Sequence, residues 1–210
     1  EYDVLMLTSL IWFLGKFVRY AFPPLFEPLQ ASYGVSNAAV GAAFSGFMAF
    51  YALLQFPSGA IADRVGAVRV IVAGAAVGGV GAIALLFDTP FAVLAGAMLV
   101  IGAGTGAHKT VAIRLLSRVY SVRTGRALGA HDTVGALGGV AAPAAATLFV
   151  AAPPALAALL SRLPGADWRG LFVATGVVAL AVAATFSLRV PGRLPAGADR
   201  GPKRTGPGPK

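Results

Sequence analysis

The chain has 210 residues, of which 12% are charged and 57% hydrophobic, and its mean hydropathy is +0.78. An ordinary soluble domain carries roughly 25% charged residues, so these proportions exclude a soluble enzyme and a disordered chain. The absence of cysteine excludes disulfides, thiolate metal sites and cysteine nucleophiles. The formal net charge of +9 would suit a nucleic-acid partner. However, the basic residues lie between long uncharged windows, which indicates an integral membrane protein without a nucleic-acid partner.

Six segments are long and apolar enough to cross a membrane, which takes about 20 residues for about 30 Å of hydrocarbon. They are continuous and rich in Ala, Gly and Leu, without the alternation of a β-barrel, and they predict an all-α integral membrane fold. The predicted spans cover about residues 4–26, 37–57, 68–87, 91–113, 126–150 and 170–188. Residues 1–190 would therefore form a six-helix bundle. Residues 191–210, which are basic and rich in Pro and Gly, would form a cytoplasmic linker or tail.

Lysine and arginine are divided unequally between the two sides of this bundle. Twelve lie after the second, fourth and sixth spans, against only Arg162 and Arg169 between the fifth and sixth. Because positive residues concentrate on the cytoplasmic side of a membrane, we expect a multi-pass protein of the cell (plasma or inner) membrane with both termini in the cytoplasm.

The first span contains Lys16 and Arg19, three residues apart and hence on one helix face. Charged side chains are costly inside a membrane and are candidates for function. Lys16 lies about 18 Å into its span at about 1.5 Å per residue. We therefore expect both side chains to line a substrate cavity and bind an anion. The alternative is that they extend to the outer interface.

The connection between the second and third spans, Gly59–Arg69, reads GAIADRVGAVR. It resembles the signature loop of the major facilitator superfamily, idealised as G-x-L-A-D-R-x-G-R-K, with Ala67 and Val68 in place of the two basic residues. The alternative is an ordinary polar turn. The resemblance implies a conformational gate that stabilises an outward-open state. Its residues would be Gly59, Asp63, Arg64, Gly66 and Arg69.

Shorter stretches resemble the same superfamily at Arg19 with Pro23-Pro24, Gly102–Gly106, Thr124–Gly129 and Trp168-Arg169. Gly106-Ala-His108 is also similar to the fosmidomycin-resistance-like branch, although Lys109 stands where that branch has proline. The best markers of proton-driven drug exporters are missing, because Gly96 and Ala97 stand where many of them carry arginine.

The remaining ionisable residues inside spans are His108 and Lys109 in the fourth and His131 and Asp132 in the fifth. The two spans are joined on the cytoplasmic side, so these residues should lie at similar depth. Lys109 and Asp132 would form a buried ion pair, either structural or functional. His108 and Lys109 would line the substrate cavity, and His131 and Asp132 would serve in proton coupling. The alternative for each histidine is a hydrogen-bonding helix contact.

Superfamily members have twelve helices in two halves, so the resemblance implies the N-terminal half of a longer transporter, built from two three-helix repeats. A dimerising six-helix protein is the alternative.

The implied function is alternating-access transport of a small solute, and the surplus of positive charge predicts an organic anion. A drug/proton antiporter, a non-transporting membrane scaffold and an intramembrane enzyme using His108, His131 and Asp132 are the alternatives. No cofactor, catalytic residue or metal ligand is predicted; the predicted partners are the solute, the lipid bilayer and the second half of the chain.

Overall fold

The computed structural model of the chain describes residues 2–154, 157–158 and 167–200. Six helical segments in it are long and apolar enough to cross a membrane, and the described residues contain no strand. The chain is thus an all-α, multi-pass membrane protein, as predicted. Its helices are α1 (Tyr2–Ala21), α2 (Phe26–Tyr33), α3 (Asn37–Val65), α4 (Ala67–Ala84), α5 (Phe91–Val119), α6 (Thr124–Val150) and α7 (Trp168–Arg189).

Local signals start and stop several of these helices. Gly34 ends α2 in the left-handed conformation, with φ 62°, which costs glycine little. Ser36 caps α3, because its Oγ accepts a hydrogen bond from the Ala39 amide at 3.2 Å. Asp167 caps α7 in the same way, through the Arg169 amide at 2.9 Å. These caps satisfy backbone amides that have no partner within their own helix.

The helices extend further than the apolar segments that predict them. The α3 helix continues through Pro57 to Val65, although proline normally ends or kinks a helix. The α5 helix continues to Val119, past Arg114 and Arg118. In the first span, a 3₁₀ turn at Pro23–Leu25 joins α1 to α2. Polar residues mark the edge of the hydrocarbon but do not end a helix, so a prediction based on hydropathy shortens α3 and α5.

Glycines allow the helices to pack backbone against backbone. A Cβ on Gly102 or Gly106 of α5 would overlap the carbonyl oxygens of Phe47 and Tyr51 on α3. On another side of α5, a Cβ on Gly104 would lie 2.6 Å from the Gly74 carbonyl oxygen of α4. The small-residue run predicted in this span therefore serves close packing against two neighbours. The other main contacts pair α1 with α6 and α4 with α7.

The apolar core is divided into two clusters. One contains Val18, Phe22 and Trp168, and the other contains Leu7, Leu116 and Phe186. Trp12, which is buried, belongs to neither cluster. The buried polar residues His108 and His131 lie beside it, so the apolar core is interrupted at this position.

The chain after α7 folds back onto the bundle as far as residue 200. Arg193 forms an ion pair with Asp3 of α1. The Ala67 amide of α4 donates to the Asp199 carbonyl oxygen at 2.8 Å, and Arg118 of α5 donates to the Ala198 carbonyl oxygen at 3.4 Å. We call residues 191–200 the strap. The composition of this stretch predicts a cytoplasmic linker or tail, and the structure places it against α1, α4 and α5. The linker prediction for residues 201–210 lies outside the described residues.

Candidate functional site

The indole of Trp12 on α1 lies beside two ammonium groups. The Nζ of Lys16, one turn further along α1, is 5.1 Å from the ring centroid, and the Nζ of Lys109 on α5 is 5.8 Å from it. Both distances are within the range of cation–π attraction. Lys16 and Lys109 are each half-buried, whereas Trp12 is 3% exposed. The structure thus brings together two predicted cavity residues around a ring that sequence reasoning did not single out.

The two histidines lie beside the same ring. The centroids of His108 and His131 are 6.2 Å and 6.0 Å from that of Trp12 and 5.9 Å from each other. Both side chains are buried. Nδ1 of His131 is 3.3 Å from the Ser9 hydroxyl on α1. Both ring nitrogens of His108 and Nε2 of His131 have no hydrogen-bond partner in the described part of the chain. The two histidines, one on α5 and one on α6, therefore lie next to each other beside α1.

Arg19 lies against aromatic rings further along α1. Its guanidinium carbon is 4.7 Å from the ring centroid of Tyr51 on α3 and 5.1 Å from that of Tyr20. Arg19 is half-buried and Tyr51 is buried. Arg19 thus contacts one buried ring, that of Tyr51, and one exposed ring, that of Tyr20.

The predicted ion pair between Lys109 and Asp132 does not form among the described residues. The Lys109 ammonium lies beside Trp12, whereas Asp132 is exposed. The reason is helix geometry: successive residues point about 100° apart, so a helix that buries His131 turns Asp132 outward. No hydrogen bond or ion pair joins Asp132 to either histidine in the described ranges.

The residues of the predicted gate lie around a one-residue turn. Gly66, with φ 103°, is the single residue between α3 and α4. Asp63, in the last turn of α3, pairs with Arg114 at 3.2 Å and with Arg118 at 3.4 Å, both on α5. Arg64 and Arg69 are exposed, and a Cβ on Gly59 would lie 2.9 Å from the Arg114 guanidinium. A carboxylate in the last turn of α3 thus joins the C-terminal parts of α3 and α5.

The internal space beside Trp12 and His108 is too small for an organic solute. The cavity between α1, α4, α5 and α7 has a volume of about 30 Å³, which suits a water molecule. The cationic side chains lie outside this cavity's lining.

Sequence reasoning missed Ser9, Trp12, Tyr51 and the strap residue Asp199. The four-residue spacing of Trp12 and Lys16 was the available signal, because it places both side chains on one helix face. No sequence signal connects Tyr51 with Arg19 or Asp199 with α4, since those contacts are tertiary.

Residues 7–209 match the family model described as the Major Facilitator Superfamily. The chain belongs to the Major Facilitator Superfamily. Which branch of the superfamily it represents, including the fosmidomycin-resistance-like branch, stays a prediction.

Several transporters resemble the chain over most of its length. A protein of Cupriavidus necator named as a probable sulfoacetate transporter, SauU, is 25% identical over 178 residues, which are 84% of this chain and 38% of that protein. A bacterial homologue of the human lysosomal transporter Spinster, solved inward-facing and unoccupied, superimposes with a TM-score of 0.77 and 22% identity over 98% of this chain and 45% of that one. For tetrameric PepTSo2 the TM-score is 0.73, with 19% identity over 96% and 44%.

The chain thus spans less than half the length of each of these proteins. Its six membrane-spanning segments correspond to half of a major facilitator fold, as predicted from the connection between the second and third spans.

Proposed function

We propose that the chain is the N-terminal half of a secondary active transporter that carries a small organic anion by alternating access. The observation that carries this proposal is the set of three cationic side chains, Lys16, Arg19 and Lys109. None of them forms an ion pair among the described residues. Aromatic rings accompany them instead.

Electrostatics favours an anion at this site. Cations in a membrane interior are costly without a compensating charge, and a bound carboxylate or sulfonate would supply one through charge-assisted hydrogen bonds. The same surplus of positive charge would repel a cationic drug, which disfavours the drug/proton antiporter alternative. The relative named as a probable sulfoacetate transporter supports an anionic solute and supplies a probe for the assay.

A second six-helix half would supply the missing wall of the site. In the most apolar windows of α3 and α6, 22% of the residues are buried, against 39–50% in the other four segments. Asp132 is exposed on α6, and a carboxylate facing lipid is costly. An aqueous cavity or the second half would accommodate it. Both termini would face the cytoplasm of the cell membrane, with the strap leading toward the second half.

The gate would favour one state of the transport cycle. Asp63 joins α3 to α5 through Arg114 and Arg118, and separation of these helix ends would break both ion pairs. We assign these contacts to the outward-open state, in which the cytoplasmic side is closed.

His131 is the proposed proton carrier. It is buried, Ser9 is the hydrogen-bond partner of its Nδ1, and its Nε2 has no partner in the described residues. In proteoliposomes holding the full-length protein, His131→Gln should abolish uptake driven by a proton gradient and keep exchange of anion across the membrane. Gradient-driven uptake by His131→Gln equal to the unsubstituted protein would contradict this role.

The transport proposal is tested by sulfoacetate uptake into proteoliposomes that contain the full-length protein. Lys16→Gln and Arg19→Gln should each reduce uptake at least tenfold, because each removes a cation that binds the solute. The matched control is Arg189→Gln, which removes an exposed cation at the end of α7. Unchanged uptake of sulfoacetate and other small organic anions in the Lys16 and Arg19 variants would contradict the proposal.

A further inference from the structure

Trp12 contacts four charged or titratable side chains contributed by three helices: Lys16, His108, Lys109 and His131. The proposed function uses the lysines but leaves the ring itself without a role. Trp12 is also separate from the two apolar clusters, so packing within them does not explain its position.

We propose that Trp12 is a positioning residue for solute binding, whose indole holds the ammonium groups of Lys16 and Lys109 together as one anion-binding pair. The proposal rests on the proposed anion transport and deepens it. It identifies the element that makes a single site from two cations on different helices.

The two ammonium groups need such an element. Like charges repel, and they do so more strongly in a low-dielectric interior than in water. The described residues provide no carboxylate partner for either lysine, so no acid holds them near each other. Tryptophan provides the best ring for cation–π attraction, and desolvation strengthens the attraction. Both Nζ atoms lie within 5.8 Å of the one centroid.

The ring itself is fixed from other directions. A Cβ on Gly135 of α6 would overlap Cδ1 and Nε1 of the indole, so only glycine leaves room for the ring in this position. His108 of α5 and His131 of α6 stack beside it, with interplanar angles of 25° and 14°. A ring held in this way keeps both lysines in place before the solute arrives, which lowers the entropic cost of binding.

The first test measures KM and kcat for sulfoacetate with the full-length protein in proteoliposomes. Trp12→Leu should raise KM about tenfold, in line with the strength of a desolvated cation–π contact, and should change kcat less. Trp12→Phe keeps an aromatic face and should restore part of the affinity. Phe17→Leu, on the same helix and without a cation–π contact to either ammonium group among the described residues, is the matched control and should keep the normal KM.

A second pair of variants moves the ring without replacing it. Gly135→Ala should raise KM because the new methyl group displaces the indole. Gly129→Ala, on the same helix with no neighbouring atom within 4 Å of the added Cβ, should leave KM unchanged. An equal KM in these two variants would contradict the positioning role.

Fluorescence gives a readout that remains if Trp12→Leu fails to fold. The chain has two tryptophans, so Trp168→Phe leaves Trp12 as its only one; tryptophans in the rest of the full-length protein are replaced with Phe as well. Sulfoacetate should then change the Trp12 emission saturably, with half the effect near KM, and Lys16→Gln should abolish the change. Unaltered emission at saturating sulfoacetate would overturn the proposal.

Different results would refute the transport proposal and the proposed role of Trp12. Absence of uptake of any small organic anion by the unsubstituted protein would refute the proposed function and the role of Trp12 with it. Normal uptake combined with an unchanged KM in Trp12→Leu would refute the role of Trp12 alone.

Discussion

The carboxylate of Asp199 lies directly against Gly66, the single residue between α3 and α4. Its Oδ1 accepts a hydrogen bond from the Val68 amide at 2.9 Å, and its backbone oxygen accepts one from the Ala67 amide. A residue 131 positions after Val68 therefore caps the N-terminus of α4. Because Arg118 contacts both Asp63 and the neighbouring Ala198, the strap and the gate are physically connected.

Removal of this cap should destabilise the protein. Asp199→Ala leaves the Val68 amide without its acceptor, and loss of such a cap costs roughly 1 kcal/mol. Thermal unfolding of the purified chain in detergent would measure the effect. Asp199→Asn is the matched control, because asparagine caps helices about as well as aspartate. Equal destabilisation by both substitutions would show that the charge matters and the cap does not.

The contact between α3 and α5 should not tolerate an added methyl group. Gly106→Ala places a Cβ against the Tyr51 carbonyl oxygen, and overpacking of this kind costs about 1–3 kcal/mol. Gly96→Ala on the same helix has no atom within 4 Å of the new Cβ and should be neutral or slightly stabilising through helix propensity. Thermal unfolding of the two variants in the same detergent compares them, and equal melting temperatures would contradict the packing argument.

Loss of the Asp63 carboxylate should affect transport more than stability. Its ion pairs are exposed, with 44% of the Asp63 side chain accessible, so Asp63→Asn should change the free energy of unfolding by less than about 1 kcal/mol. Sulfoacetate uptake by the full-length protein should fall several-fold, because the gate loses the anion that joins α3 to α5. Asp88→Asn removes an exposed carboxylate from the connection between α4 and α5 and should keep normal uptake. A large loss of stability in Asp63→Asn would mean that the ion pairs serve folding instead.

Lys109 and Asp132 should behave as independent residues. Because they form no ion pair in the structure, the stability changes of Lys109→Gln and Asp132→Asn should add within roughly 0.5 kcal/mol in the double variant. Thermal unfolding of the two single variants and the double variant completes the cycle. A coupling energy well above that limit would favour the ion pair predicted from sequence.

Much of the fold follows from residues close together in the chain. Long apolar segments predicted all six spans, and the stretch from Gly59 to Arg69 predicted the superfamily. The predicted ends were wrong where helices cross the membrane boundary, as at Val65 and Val119. Hydropathy reports where a helix leaves lipid, whereas hydrogen bonding and capping decide where it ends.

The candidate site was only partly predictable. Its cations and histidines were found because charge inside an apolar span is rare and costly. Their aromatic partners, Trp12 and Tyr51, were not found. Aromatic residues are common in membrane spans, so their presence in the sequence does not indicate a site. The predicted ion pair between Lys109 and Asp132 was wrong. Similar depth of two residues in the membrane does not specify the direction in which each side chain points.

The amino-acid sequence alone determined that this chain crosses a membrane, how many times it does so, and which scarce charges lie within the spans. These properties depend on local composition, because the length and hydrophobicity of each segment decide whether that segment can cross the bilayer. Only the tertiary structure decided that Trp12 lies beside both lysines and both histidines, that Asp132 faces outward, and that the strap caps α4. Each of these depends on which helix faces pack together. Glycine contacts between segments distant in the chain determine that packing.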